Sequence, residues 1–186
     1  MKNKLILFVA MFVMSFFIAS TNCYAVNLDA LFLATNAKSS PHPDSNLIGV
    51  DAAKADHELT LEDMLTYALQ DEYVAISKYS LVVEKFGKQP PFTNIIIAEN
   101  NHINHLKPLF ISYIVPLPVD NSNNYVSAPT SIKESLEDGV QDEAETIAMY
   151  NRFLTQNLPS NVKDVFTRIR DTSKNHLQAF QNALEP

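Results

Sequence analysis

One cysteine, three glycines and a deficit of positive charge set the first limits on this chain of 186 residues. A sequence so poor in turn-forming glycine, with 46% hydrophobic and 19% charged residues, is expected to form one mostly helical domain with an adequate core. It also lacks a membrane span. The longest apolar run, Leu5 to Ala19, has about 15 residues, against the roughly 20 that cross a bilayer. Because Lys2 and Lys4 precede that run and Cys23-Tyr24-Ala25 follows it, residues 1–25 read as a secretory signal peptide. The expected destination is secreted or periplasmic, with no stable membrane association after cleavage. A lipid anchor on Cys23 fits less well, since Asn22 is bulkier and more polar than the small residue expected there.

Cleavage after Ala25 removes the single cysteine, which excludes disulfides and thiolate metal sites from what remains. It also removes Lys2 and Lys4, so the balance of basic to acidic residues moves from 14 against 21 to 12 against 21. A chain this acidic repels nucleic acid and anionic membranes and attracts cations.

What is present is helical periodicity. Residues 26–58 are mixed, with the turn chemistry of KSSPHPDSN at their centre, and are expected to be a loosely ordered arm. Four segments with 3/4 spacing follow, near 60–87, 92–114, 131–157 and 161–184. Thr60 and either Thr130 or Ser131 can cap starts, Gly87 and Pro90-Pro91 separate the first pair, and Leu158-Pro159-Ser160 separates the second. Val115 to Thr130 is the longest break. Residues 59–186 are therefore expected to be all-α: two helical hairpins joined by a longer connection, an antiparallel four-helix bundle.

Each inward stripe is interrupted once, near its middle. The first helix reads Leu61, Leu65, Ala68, Glu72, Ala75, Tyr79, Val82; the second carries Glu99 and His102 between Ile95 and Leu106; the third carries Glu143 between Val140 and Ile147; the fourth carries Ser173 and His176 between Ile169 and Phe180. A single Glu on a helix is ordinarily solvated, and one Glu-x-x-His match is common by chance. Three carboxylates and two imidazoles at matched depth are another matter. Ionised carboxylates in an apolar core cost several kcal/mol each unless compensated. A cation compensates them, and the i, i+3 spacing of Glu99 and His102 aims both at one place. His105, one turn further on, reads as outer support or polar surface, and His42 and His57 lie in the arm.

The halves also repeat. Glu72-x-x-Ala75-x-x-x-Tyr79 matches Glu143-x-x-Thr146-x-x-x-Tyr150, Asn101-His102 matches Asn175-His176, and the Glu-to-His separations are 30 and 33. Such a repeat would build a pseudo-symmetric two-metal site.

On these residues the stretch from Leu59 to Leu184 resembles the ferritin-like superfamily, and most of all rubrerythrin-type domains and a related bacterial domain family of uncharacterised function. The resemblance implies a di-iron or di-manganese centre with Glu72 and Glu143 as terminal carboxylates, Glu99 as a bridging one and His102 and His176 as imidazoles. Zinc is the alternative ion. Tyr79 and Tyr150 match the family's near-site tyrosines and are the candidate catalytic residues. The implied activity is reduction of peroxide or oxygen, or oxidation of Fe(II), with electrons from an external donor because this chain carries no cysteine-ligated iron domain. Pairing into a homodimer is left open, and so is a second reading, a metal-binding or helical interaction module without catalysis. The departure from the pattern is Ser173, which stands where the fourth helix should carry its Glu. Asp171 points elsewhere. Two residues sit oddly inside helices, Pro108 and Gly139: close packing and a bend account for them, and a small-molecule path is the sharper alternative.

Overall fold

The computed structural model describes residues 46–185. The expected signal peptide and residues 26–45 of the expected arm lie outside the described residues. Five α-helices form among the described residues: α1 Gly49–Ala55, α2 Leu61–Phe86, α3 Phe92–Tyr113, α4 Ile132–Phe153 and α5 Ser160–Leu184. There is no strand among the described residues. The long helices pack as a helical bundle in which α2 lies beside α3 and α4, and α5 beside the same two.

The helix starts are those marked in the sequence. Thr60 accepts a hydrogen bond from the backbone of Asp63 while the Asp63 carboxylate accepts from the backbone of Thr60, a reciprocal cap that satisfies two otherwise unpaired N–H groups of α2. Ser131 Oγ accepts from Glu134 N at the start of α4. At its other end α4 stops at Phe153, four residues short of the expected boundary. Turn hydrogen bonds from Thr155 N to Arg152 O and from Gln156 N to Phe153 O close it there.

The reading of residues 26–58 as a loosely ordered arm needs correction from Gly49 onward. Helix α1 packs on α2 and α4 and buries Val50, Ala52 and Ala53. Its first N–H groups are satisfied across the chain: Gly49 N donates to Gln70 Oε1 and Val50 N to Asp71 Oδ1. At its far end the Arg152 guanidinium donates to the carbonyls of Ala53 and Asp56. A seven-residue helix has too little hydrogen bonding to hold itself in water. These tertiary contacts hold it.

The connection from Val115 to Thr130 is also tied down. Its single 3-10 turn, Ser122–Asn124, buries Ser122, whose hydroxyl shares a hydrogen bond with Ser77 of α2 and donates to Asp120.

The apolar interior is in two parts. One gathers Leu65, Leu69, Leu106, Phe110, Tyr150 and Phe166, and the other Tyr79, Val82, Phe92, Ile95, Leu136 and Phe180. Between them lies the polar layer made by the interrupted stripes. Gly139 belongs to the second part, and there the packing explanation holds: a Cβ at this position would meet the Phe180 ring at 2.8 Å. That ring is itself fully buried against Tyr79 and Phe92, with centroids 5.3 Å from each.

Gly139→Ala should therefore destabilise the fold. Alanine improves helix propensity by about 1 kcal/mol, but overpacking a fixed aromatic ring costs about 1–3 kcal/mol. Chemical denaturation should show a net loss for Gly139→Ala and a smaller one when Phe180→Leu makes room. A gain in stability for the single variant would mean that the ring is free to move.

Candidate metal centre

Each long helix delivers its interrupting residues to one layer because each carries them at the same depth of its buried stripe. Glu72, Glu99, His102, Glu143, Ser173 and His176 are all buried, with Glu72, Glu99, His102 and Glu143 at 3% exposure. Two groups form. Glu72, Glu99 and His102 each offer one donor atom, all within 4.8 Å of one another, and Glu99, Glu143 and His176 do the same. Glu99 is common to both. All five metal-site residues expected from the sequence are thus brought together, while His105 is exposed and outside the layer.

His102 Nδ1 lies 2.6 Å from Glu99 Oε2 and 3.1 Å from Glu72 Oε2. His176 Nδ1 lies 3.1 Å from Glu99 Oε1 and 3.4 Å from Glu143 Oε1. Both His176 approaches fall off the ring N–H direction, so that nitrogen has close negative neighbours but no hydrogen bond, and His102 Nε2 has none either. Buried polar atoms without partners are rare, and each calls for an explanation. At His176 a cation among the three donor atoms supplies one. The donor set, carboxylate oxygens with imidazole nitrogens, suits iron, manganese or zinc and does not choose between them.

The electrostatics show what the groups do without a metal. Burial pushes the Glu72 carboxyl well up, and the neighbouring Glu99 charge pushes it further. Burial also carries Glu143 to about 7. Burial acts the same way on Glu99, but the His102 and His176 imidazoles beside it outweigh that and hold the carboxylate ionised, well below its usual range. Burial disfavours charged imidazoles, yet Glu72 and Glu99 hold His102 up to about 10, and Glu143 and Glu99 hold His176 up to about 9. Protons occupy the places that a cation would take.

Tyr79 and Tyr150, the candidate catalytic residues, are fully buried and cross over. Tyr79 of α2 donates to Glu143 Oε1 of α4 at 3.4 Å, and Tyr150 of α4 donates to Glu72 Oε1 of α2 at 2.9 Å. Burial pushes both phenols well above their usual range, so they stay protonated donors. Each also belongs to an aromatic triad, Tyr79 with Phe92 and Phe180 and Tyr150 with Phe153 and Phe166, with centroids 5.3 to 6.0 Å apart. The triads seal the two ends of the polar layer.

A cavity of about 170 Å³ beside α1 has Glu72, Glu99 and Glu143 as its floor. Its wall includes Asp71, which the stripes did not single out. Burial raises that carboxyl to about 7, and it accepts hydrogen bonds from Thr146 Oγ1 at 2.7 Å and from Val50 N. Thr146 is the residue that replaces Ala75 in the repeat, the one sequence signal that pointed there. Neither Gly139 nor Pro108 lines this cavity.

No protein-family model and no curated protein sequence matches the chain. Among solved structures, the crystal structure of a hypothetical protein from Methanococcus jannaschii DSM 2661 is similar. The TM-score is 0.60 and the identity 24%, over 69% of this chain and 83% of that one. At that identity the likeness speaks to the helical fold alone.

The pH dependence of the metal-free protein follows from these groups. Glu143 has a folded pKa above its unfolded value of about 4.3, and His102 and His176 lie above about 6.5. Their stabilising contributions are complete below the unfolded values. They are lost as pH rises through about 7 for Glu143 and about 9 to 10 for the imidazoles. Glu99 acts oppositely and loses its contribution only in acid. Melting temperature in chelator should thus fall between about pH 5 and 10. Added Mn(II) or Zn(II), which displaces the protons, should stabilise more at the alkaline end. Parallel melting curves with and without metal would rule out a shared buried site.

Proposed function

We propose that the chain is a ferritin-like metalloprotein whose four long helices form an antiparallel bundle of two hairpins around a two-metal centre, iron first and manganese or zinc as alternatives. One observation carries the proposal: two buried carboxylate and imidazole groups share Glu99. On this reading Glu72 and Glu143 are terminal ligands, Glu99 bridges, and His102 and His176 complete the two halves. Iron bound there would supply one-electron redox chemistry toward peroxide or oxygen, or be oxidised itself.

The chain's own residues fit that task. Tyr150 and Tyr79 hold the terminal carboxylates in place through crosswise hydrogen bonds and keep a proton within reach of the layer. The aromatic triads exclude water from both ends, which strengthens every interaction between them. Electrons would come from an external donor, because the described residues contain no cysteine. Export by the N-terminal segment, with work outside the cytoplasm, is part of the proposal.

The second reading is a metal-binding module without catalysis, and Ser173 favours it. This side chain is 1% exposed on the same face as His176 and offers no carboxylate where the ferritin-like pattern has one. Metal analysis of protein purified without added metal separates the two. About two iron or manganese ions per chain, with peroxide consumption supported by an external reductant, is expected for the first; a single zinc without turnover supports the second. Glu99→Ala should abolish stoichiometric uptake, since both groups lose a member. Full occupancy in that variant would overturn the proposed centre.

A further inference from the structure

The cavity above the carboxylates is not isolated. A second cavity of about 330 Å³, beneath the segment from Tyr125 to Thr130, shares Asp51, Val74, Lys78, Tyr79, Tyr125 and Asp142 with it. At about 30 Å³ of liquid per water molecule, each has room for several waters. Adjoining along these residues between α2 and α4, the two cavities, each open to solvent, outline a lateral approach route to the polar layer that the aromatic triads close at its two ends.

The lining of this route is one-sided in charge. Above the floor it presents Asp51, Asp71, Asp142 and Glu145 in the inner cavity and Glu134 and Asp138 in the outer. Lys78 is the only basic side chain among the described lining residues, and its ammonium is bound to Asp142 Oδ2 at 2.6 Å, where the two cavities meet. Lys54 pairs with Asp51 and Glu145 from outside both cavities. Asp71 is held still by Thr146 and Val50, so part of the wall is fixed before anything enters. Beyond the floor, the buried His176 Nδ1 stands without a hydrogen bond.

A neutral molecule such as peroxide or oxygen gains nothing from such walls. A cation does: like-signed charges along a low-dielectric cleft focus the field and raise its local concentration and rate of arrival. We propose that the species this route serves is a hydrated divalent cation. It reaches the polar layer past the Lys78–Asp142 ion pair, which keeps the one repelling charge of the passage folded against its partner. This rests on the metal-centre reading above and adds to it the ion as the diffusing reactant and the direction of its approach.

The test is the rate of Co(II) loading into chelator-stripped protein, followed by stopped-flow absorbance without oxygen at low ionic strength. Lys78→Met should load faster and Asp142→Asn, which frees the lysine, slower, each by roughly threefold or more and with unchanged final stoichiometry. Asp138→Asn, at an exposed position on the outer cavity, should also load more slowly. Asp164→Asn makes the same change of net charge on an exposed position of α5 that lines neither cavity, and should match the parent. Raising the salt should bring all the rates together. If the parent loads cobalt but Lys78→Met and Asp142→Asn leave its rate unchanged or shift it in the same direction, the route is wrong and the centre stands. A parent that takes up no cobalt overturns the centre itself.

Discussion

The architecture depends on how three carboxylates and two imidazoles are kept inside a layer that water barely reaches. Any one of them alone would destabilise the fold by several kcal/mol or give up its charge. Placed together they compensate one another, with Glu99 ionised between two imidazoles and Glu72 and Glu143 raised toward the neutral form. The arrangement requires all four long helices in register, because α2, α3, α4 and α5 supply Glu72, Glu99 with His102, Glu143 and His176 respectively. A shift of one residue along any helix would carry its polar group off the inward face.

The apolar parts on either side answer that constraint. Each ends against the layer with a tyrosine flanked by two phenylalanines, and the tyrosines of α2 and α4 each turn the hydroxyl toward a carboxylate of the other helix. A phenylalanine there would pack as well and leave the carboxylate short of a donor. The same logic reaches outward to α1, whose N–H groups end on Gln70 and Asp71, residues immediately before Glu72, and whose last carbonyls end on Arg152, two residues after Tyr150. The short helix is fastened to the two helices that carry Glu72 and Glu143.

Most of this was legible from the residues. The stripes of α2 to α5 match the burial seen, from Leu65 and Tyr79 to Phe166 and Phe180, because amphipathic helices of more than twenty residues repeat their pattern many times. The five Glu and His positions stood out for the same reason, as exceptions to a long regularity. Helix α1 did not, since seven residues give no period to read and its stability comes from side chains 21 to 99 residues away in sequence. Asp71 was hidden by its position: it lies off the inward stripe of α2, where the packing of α1 leaves it a half-buried carboxylate that accepts from Val50 N. Gly139 looked like a weakness in α4 until the ring of Phe180 took the place of its side chain.

The crosswise tyrosine bonds make each half of the sequence repeat one side of a socket whose other side lies in the other half. Two identical halves could form the same interlock as a symmetric pair, but every substitution would then appear twice. Joined in one chain, the halves are free to diverge. Glu99 and Ser173 occupy equivalent places in the repeat and are both buried, yet only one carries charge. The layer is consequently lopsided in its charge, and the two halves of the interior present unequal surroundings to whatever they hold.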